Sequence, residues 1–269
     1  MNYAICNETF GDWDHARVCD RVAELGYTGL EVAPFTLAPL ITDVPAGRRA
    51  ELRRQAEAAG VRVIGLHWLL AKTTGFHLTS PDPDTRARTG DYLADLARAA
   101  ADLGGDLLVL GSPVQRTIPA DMTREEADGL AADTLSRCLR ALEETRVTLC
   151  LEPLTPAETN YLTSAADTVG LARRIAHPFV KLHLDTKAMS AEASPTPDVI
   201  RANVEYLHHF HANDPNLRGP GFGDTDFKPI FRALRDVDYS GWVSVEVFDY
   251  TPDPDTIARE SIRYMRACE

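Results

Sequence analysis

Eight short apolar or β-branched runs punctuate the chain, beginning at Asn2, Tyr27, Val61, Asp106, Val147, Phe179, Tyr206 and Gly241, with longer stretches of helical spacing between them. Successive starts lie 25 to 45 residues apart, room each time for a strand, a loop and a crossover helix, so parallel pairing is expected throughout. The intervening helices carry their own signals. WDHARVCDRVAEL presents Ala16, Val18, Val22 and Leu25 before Gly26, and TREEADGLAADTLSRCLRALEE opens on a Thr123 cap with an acidic first turn, read here as one helix. Eight strand and helix pairs in 269 residues match the ~250 residues of a (β/α)8 TIM barrel better than an open doubly wound sheet, which is the alternative. No linker or low-complexity tract divides the chain, so residues 1–269 are read as one barrel domain.

Composition narrows the partners. With 28 basic against 40 acidic residues the net charge is −12, which repels a phosphate backbone and argues against nucleic acid. No apolar run approaches the ~20 residues of a bilayer span, and the opening MNYAICNETF lacks the basic and apolar regions of a secretory leader, so a cytoplasmic protein without a membrane partner is expected. The five cysteines, Cys6, Cys19, Cys138, Cys150 and Cys268, are scattered and form no CxxC pair, suggesting neither a disulfide framework nor a thiolate zinc site.

A barrel confines chemistry to the C-terminal ends of its strands. There the fifth run, VTLCLEP, ends in Glu152; the sixth, FVKLHLDT, in Asp185; the seventh, YLHHFHAND, in His211; and the eighth, GWVSVEVF, in Glu246. Alternation along the sixth run sets Val180, Leu182 and Leu184 on one face and Lys181, His183 and Asp185 on the other. Along the eighth it sets Val243, Val245 and Val247 against Trp242, Ser244 and Glu246. Adjacent strands lie ~5 Å apart, so three carboxylates and an imidazole would converge within reach of one ion. Three oxygen donors and one nitrogen suit Mn2+, with Mg2+ and Co2+ as alternatives. An ion holding two neighbouring sugar oxygens polarises the carbonyl and acidifies the adjacent C–H, and Glu152 and Glu246 are the residues placed to move that proton. The ordinary reading of any one acidic strand end is a helix cap or a solvated loop charge.

Other residues at the same end carry paired readings. His67 is placed to meet a substrate hydroxyl or to be a satisfied, partly buried histidine, and the neighbouring Trp68 is a candidate sugar platform. Glu31 is a substrate contact or a loop ion pair, His183 an outer support for the ion or a core histidine bonded to backbone, and Arg116 an anion binder or a surface ion pair. Cys6 reads as packing. The long segment LLAKTTGFHLTSPDPDT is expected to form wall or lid, with Phe35, Trp68, Phe76, Phe222 and Phe248 narrowing the mouth.

LEPL, HLDT, FHAND and SVEVF, in this order, together with the closing GFGDTDFKPIFRALRDVDYSGWVSVE, resemble the sugar isomerase and epimerase family with a xylose isomerase-like barrel, especially its D-tagatose and D-allulose 3-epimerase branch. The resemblance runs over nearly the whole chain. It implies that Glu152, Asp185, His211 and Glu246 ligate the metal and that Glu152 and Glu246 are the acid/base pair. It further implies that Glu158 contacts a terminal hydroxyl of the sugar, and that Arg218, one residue later than in the epimerases, holds substrate oxygens. A dimer or tetramer is likewise implied. After the metal Asp the epimerases continue Asp-Thr-x-His, whereas this chain reads Asp185, Thr186, Lys187, Ala188; the histidine near the carbonyl is absent, and Lys187 is either a replacement donor or a solvent-facing lysine. The expected activity is therefore isomerisation or epimerisation of a ketose or keto-polyol, by proton abstraction next to a metal-bound carbonyl through an enediolate. The alternative is a lyase or dehydratase acting β to the carbonyl of an oxidised sugar or inosose. An endonuclease branch of the same barrels uses three metals, but Gly111, Ser112 and Ala188 stand where it places histidines.

Overall fold

The computed structural model describes residues 1–269. The eight strands are β1 (Asn2–Cys6), β2 (Gly29–Val32), β3 (Arg62–Leu66), β4 (Leu107–Leu110), β5 (Thr148–Leu151), β6 (Val180–Asp185), β7 (Leu207–Ala212) and β8 (Trp242–Val245), and they close into one parallel barrel in chain order. Around them lie α1 (His15–Leu25), α2 (Ala46–Ala58), α3 (Pro83–Leu103), α4 (Arg124–Ser136), α5 (Leu139–Thr145), α6 (Ala165–Ile175), α7 (Thr186–Met189), α8 (Thr196–Ala202), α9 (Phe227–Asp236) and α10 (Pro254–Cys268).

Two cores follow from strand alternation. Outward side chains such as Ile5, Leu182, Leu184, Val243 and Val245 join the large apolar cluster shared with the helices. Inward ones form a small separate cluster of Ala4, Ile64, Leu107, Val109 and Cys150, packed against Trp242. Above that plug the interior turns polar, with Glu31, His183, His209 and Ser244 all fully buried. Two register shifts accompany this polar layer. Between β6 and β7, Leu182 pairs with Leu207 but His183 pairs with His209, so the extra residue turns both His209 and His211 toward the axis. Between β2 and β3, a shift after Leu30 sets Glu31 opposite Gly65.

One expectation is corrected. The segment expected as one helix from Thr123 is two, α4 and α5, parted where the N–H groups of Arg137 and Cys138 donate to the carbonyls three residues back, Thr134 and Leu135. The Thr123 cap itself forms, closing a reciprocal box with Glu126. The turn after β6 is the short α7, where the Asp185 side chain accepts from the Ala188 backbone N–H.

Gly65 must lack a side chain, since a Cβ there would lie 2.1 Å from the Leu107 carbonyl oxygen on β4. Gly65→Ala is expected to cost about 3 kcal/mol, the upper part of the overpacking range, read as a lowered denaturation midpoint at unchanged slope; a midpoint equal to that of the parent would contradict this account of the β3–β4 contact.

Candidate active site

The four strand-end residues converge as alternation demands. Glu152 directly follows β5, Asp185 closes β6, His211 lies in β7 and Glu246 directly follows β8; each is at most 7% exposed. Glu152, Asp185 and His211, together with His183, each offer a ligand atom within 4.8 Å of the others. Glu246 joins through His211, whose Nδ1 is 3.1 Å from Glu246 Oε2. The other ring nitrogen of His211 lies 3.0 Å from Glu31 Oε2, which fixes the ring with Nδ1 toward the group, and Glu31 Oε2 also meets His209 Nε2 at 2.9 Å. Asp185 accepts from the backbone of Ala188 at 2.7 Å and from the Asn213 amide. Glu152 accepts from no side chain; its nearest polar neighbour is His183 Nε2 at 3.8 Å. Room for it depends on Gly111, where a Cβ would stand 1.6 Å from Glu152 Oε2.

The charges are unequally provided for. Burial, the negative Glu246 and the negative Asp185 push the Glu152 carboxyl up to about 8, and burial with Glu246 pushes Asp185 up to about 6. For Glu246 burial works in the same direction, but His211 and His67 outweigh it and hold its carboxyl well below the usual range. His183 is held neutral by burial and by the neighbouring His211, and neither of its ring nitrogens has a hydrogen-bond partner. A buried neutral imidazole with open nitrogens, beside carboxylates that repel one another, fits a single divalent cation held by Glu152, Asp185, His211 and Glu246 with His183 alongside. Cys6 faces the axis, 3.8 Å from His67 and 3.7 Å from Ser244, and burial holds its thiol protonated.

A cavity of about 330 Å3 opens above this group, with Trp68, Lys72, Val114, Gln115, Glu158, Lys187 and Phe248 on its wall. Lys187 is not solvent-facing: from α7 its Nζ reaches Glu158 Oε1 at 2.7 Å and lies 4.5 Å from the centre of the Phe248 ring. Trp68 stacks near Phe248 and donates its indole N–H to Glu246 Oε1 at 2.6 Å. Phe35 packs on Trp68, whereas Phe76 stacks on Tyr92 away from the cavity. Arg218 is not brought to the cavity wall; it pairs with Asp249 and Thr251, both at 2.9 Å.

His67 is fully buried and bridges carboxylates, with Nε2 2.9 Å from Glu8 and Nδ1 3.1 Å from Glu246, so the expected contact with a sugar hydroxyl gives way to a link inside the wall. His183 lacks the backbone bond expected of it. Arg116 is buried and strapped to the backbone carbonyls of Glu152 and Leu110, tying together the ends of β5 and β4 rather than pairing at the surface. Glu8 and Asn213 escaped the reading of the sequence. Alternation would have found both, since Glu8 continues Ala4 and Cys6 inward and Asn213 continues His209 and His211.

The family profile described as a xylose isomerase-like TIM barrel matches residues 19–268. The chain is 29% identical over 239 residues to a D-psicose 3-epimerase of Ruminiclostridium cellulolyticum, covering 87% of this chain and 78% of that protein. It is 25% identical over 255 residues to a fructoselysine 3-epimerase of Escherichia coli O157:H7, covering 91% and 90%. A crystal structure of a D-psicose 3-epimerase obtained in the presence of D-fructose superposes with a TM-score of 0.88 at 22% identity, over 100% of this chain and 99% of that one.

Because Glu152 and Asp185 are raised, an incoming cation must displace protons from them below pH 8. Mn2+ is therefore expected to bind more tightly as pH rises from about 6 to about 8, with protons released in calorimetry. From about pH 7 to about 8, where the lowered His15, His77, His183, His208 and His209 are largely neutral in both states, the raised Glu152, His67 and His211 leave the ion-free fold binding more protons than the unfolded chain, so its melting temperature should fall as pH rises through that range. A pH-independent Mn2+ affinity would refute this description of the charges.

Proposed function

The chain belongs to the xylose isomerase-like TIM barrel family, and from that premise we propose that it is a divalent-metal-dependent ketose 3-epimerase. Mn2+ is the ion its oxygen-rich donor set suits best. The observation that carries this reading is the pair of carboxylates on opposite flanks of one pocket, Glu152 from β5 and Glu246 from β8, with Asp185 and His211 between them. The names of the relatives, a D-psicose and a fructoselysine 3-epimerase, support the same class of substrate.

Glu152, Asp185, His211 and Glu246 would hold the ion, which would supply polarisation of a ketose carbonyl and so acidify the neighbouring C–H. Glu246, held by His211, His67 and Trp68, is suited to receive a proton from one face of the sugar, and Glu152, which accepts from no side chain, is placed to return one on the other. Acting from different strands on different faces of the sugar, the two invert the carbon that lies between them. Trp68 and Phe248 offer apolar ring surface to the sugar and exclude water from that carbon. The Glu158–Lys187 pair supplies an acceptor and a donor side by side, matching two adjacent hydroxyls at the far end of the chain. Lys187 here takes up polar recognition in the stretch where Ala188 replaces the histidine of the epimerase pattern, and the missing ring leaves space for a larger substituent.

Incubation of the Mn2+-loaded protein with ketoses in D2O is expected to place deuterium at C3, seen by NMR, while forming the C3 epimer. Glu246→Gln should lower turnover by about 10² to 10⁴-fold; retained turnover would refute its role, and elimination products from oxidised glycosides without exchange into ketoses would favour a lyase. Lys187→Ala removes one charged donor from the wall and is expected to raise KM about tenfold with little change in kcat; an unchanged KM would show that the pair does not touch substrate.

A further inference from the structure

Glu246 is gripped more elaborately than metal ligation requires. Its Oε2 faces His211, while its Oε1 has two close partners, His67 Nδ1 at 3.1 Å and the Trp68 indole N–H, which donates at 2.6 Å. Adjacent residues of an extended strand point to opposite faces, so two consecutive side chains do not ordinarily serve one oxygen. Here β3 ends at Leu66 and Trp68 adopts a left-handed backbone with φ of 52°, which swings its indole to the same side as His67. Behind His67 stands Glu8, in the 3-10 turn after β1, 7% exposed, whose Oε2 meets His67 Nε2 at 2.9 Å and whose Oε1 has no partner. A carboxylate buried for a single contact with an imidazole fixes which way that ring faces.

We infer that Glu8, His67 and Trp68 act as a positioning clamp on Glu246, locking its carboxylate through Oε1 so that Oε2 alone is turned toward His211 and the metal pocket. Glu8 acts only through His67, and Trp68 acts in parallel. The inference rests on the role proposed above for Glu246, but it concerns residues that touch neither the carbonyl nor the ion. A merely structural role for a satisfied buried histidine would change stability without separating kcat from KM.

The test uses the full chain. Glu8→Met removes the acceptor at similar volume, Glu8→Gln keeps an acceptor oxygen, His67→Gln breaks the link, and Trp68→Phe removes only the N–H. Glu8→Met is expected to lower kcat and Mn2+ affinity by roughly 10 to 100-fold, the scale of lost outer-shell support, with KM within about twofold. Glu8→Gln should restore most of the loss, and Glu8→Met combined with His67→Gln should be no worse than His67→Gln alone. Trp68→Phe should weaken Mn2+ binding independently, and it carries the test if Glu8→Met does not fold. Unchanged kcat and Mn2+ affinity in Glu8→Met, losses that multiply with those of His67→Gln, or losses that follow melting temperature without rescue by Gln would overturn the clamp. If the parent protein exchanges no ketose hydrogen, the epimerase reading fails on its own, and Mn2+ affinity across the same variants still decides the clamp.

Discussion

Negative charge gathered at one end of a closed sheet is the constraint on which the rest of the structure turns. The buried polar layer is largely an alternating chain of carboxylates and imidazoles, running Glu8, His67, Glu246, His211, Glu31 and His209, in which each acid faces a ring. Opposite charges neutralise one another along it at short range, which is what makes so much buried charge tolerable. Glu152 and Asp185 stand at the edge of this chain without an imidazole bonded to either, so the unmet negative charge collects there. A bound cation and a proton are the two ways of meeting it, and acid/base chemistry beside an ion calls for both.

Backbone irregularities build the arrangement. A perfectly regular β7 would turn either His209 and His211 or their neighbours inward, and the shift beside Leu182 selects the former. Glu31 needs no such shift, since it follows Gly29 by ordinary alternation and pairs in register with Cys6 on β1. The left-handed turn at Trp68 brings a second donor to Glu246, and the short α7 delivers Lys187 to the cavity while using Asp185 as its cap. Asp185 is thus both the helix cap that ordinary strand-end acids are and a member of the buried group.

Much of this was legible in the sequence. The closed barrel followed from eight evenly spaced runs, and the convergence of Glu152, Asp185, His211 and Glu246 followed from period-two alternation, because inward direction and strand order are set by local pattern. What lay beyond was decided by contacts distant in sequence. Whether Arg116 faced solvent depended on the carbonyls of Leu110 and Glu152, and whether Lys187 did so depended on Glu158, 29 residues earlier. The direction of Arg218 was settled by Asp249 on another loop. The break between α4 and α5 is a local tightening of the backbone bonds at Arg137 and Cys138, which helical periodicity does not encode.

Gly111 has a wider consequence. Carbon at its β position would occupy the volume of the Glu152 carboxylate, so no residue carrying nitrogen or sulfur can be introduced at this place on β4 while Glu152 keeps its pose. Adding a ligand at this place would require relocating a strand-end carboxylate first.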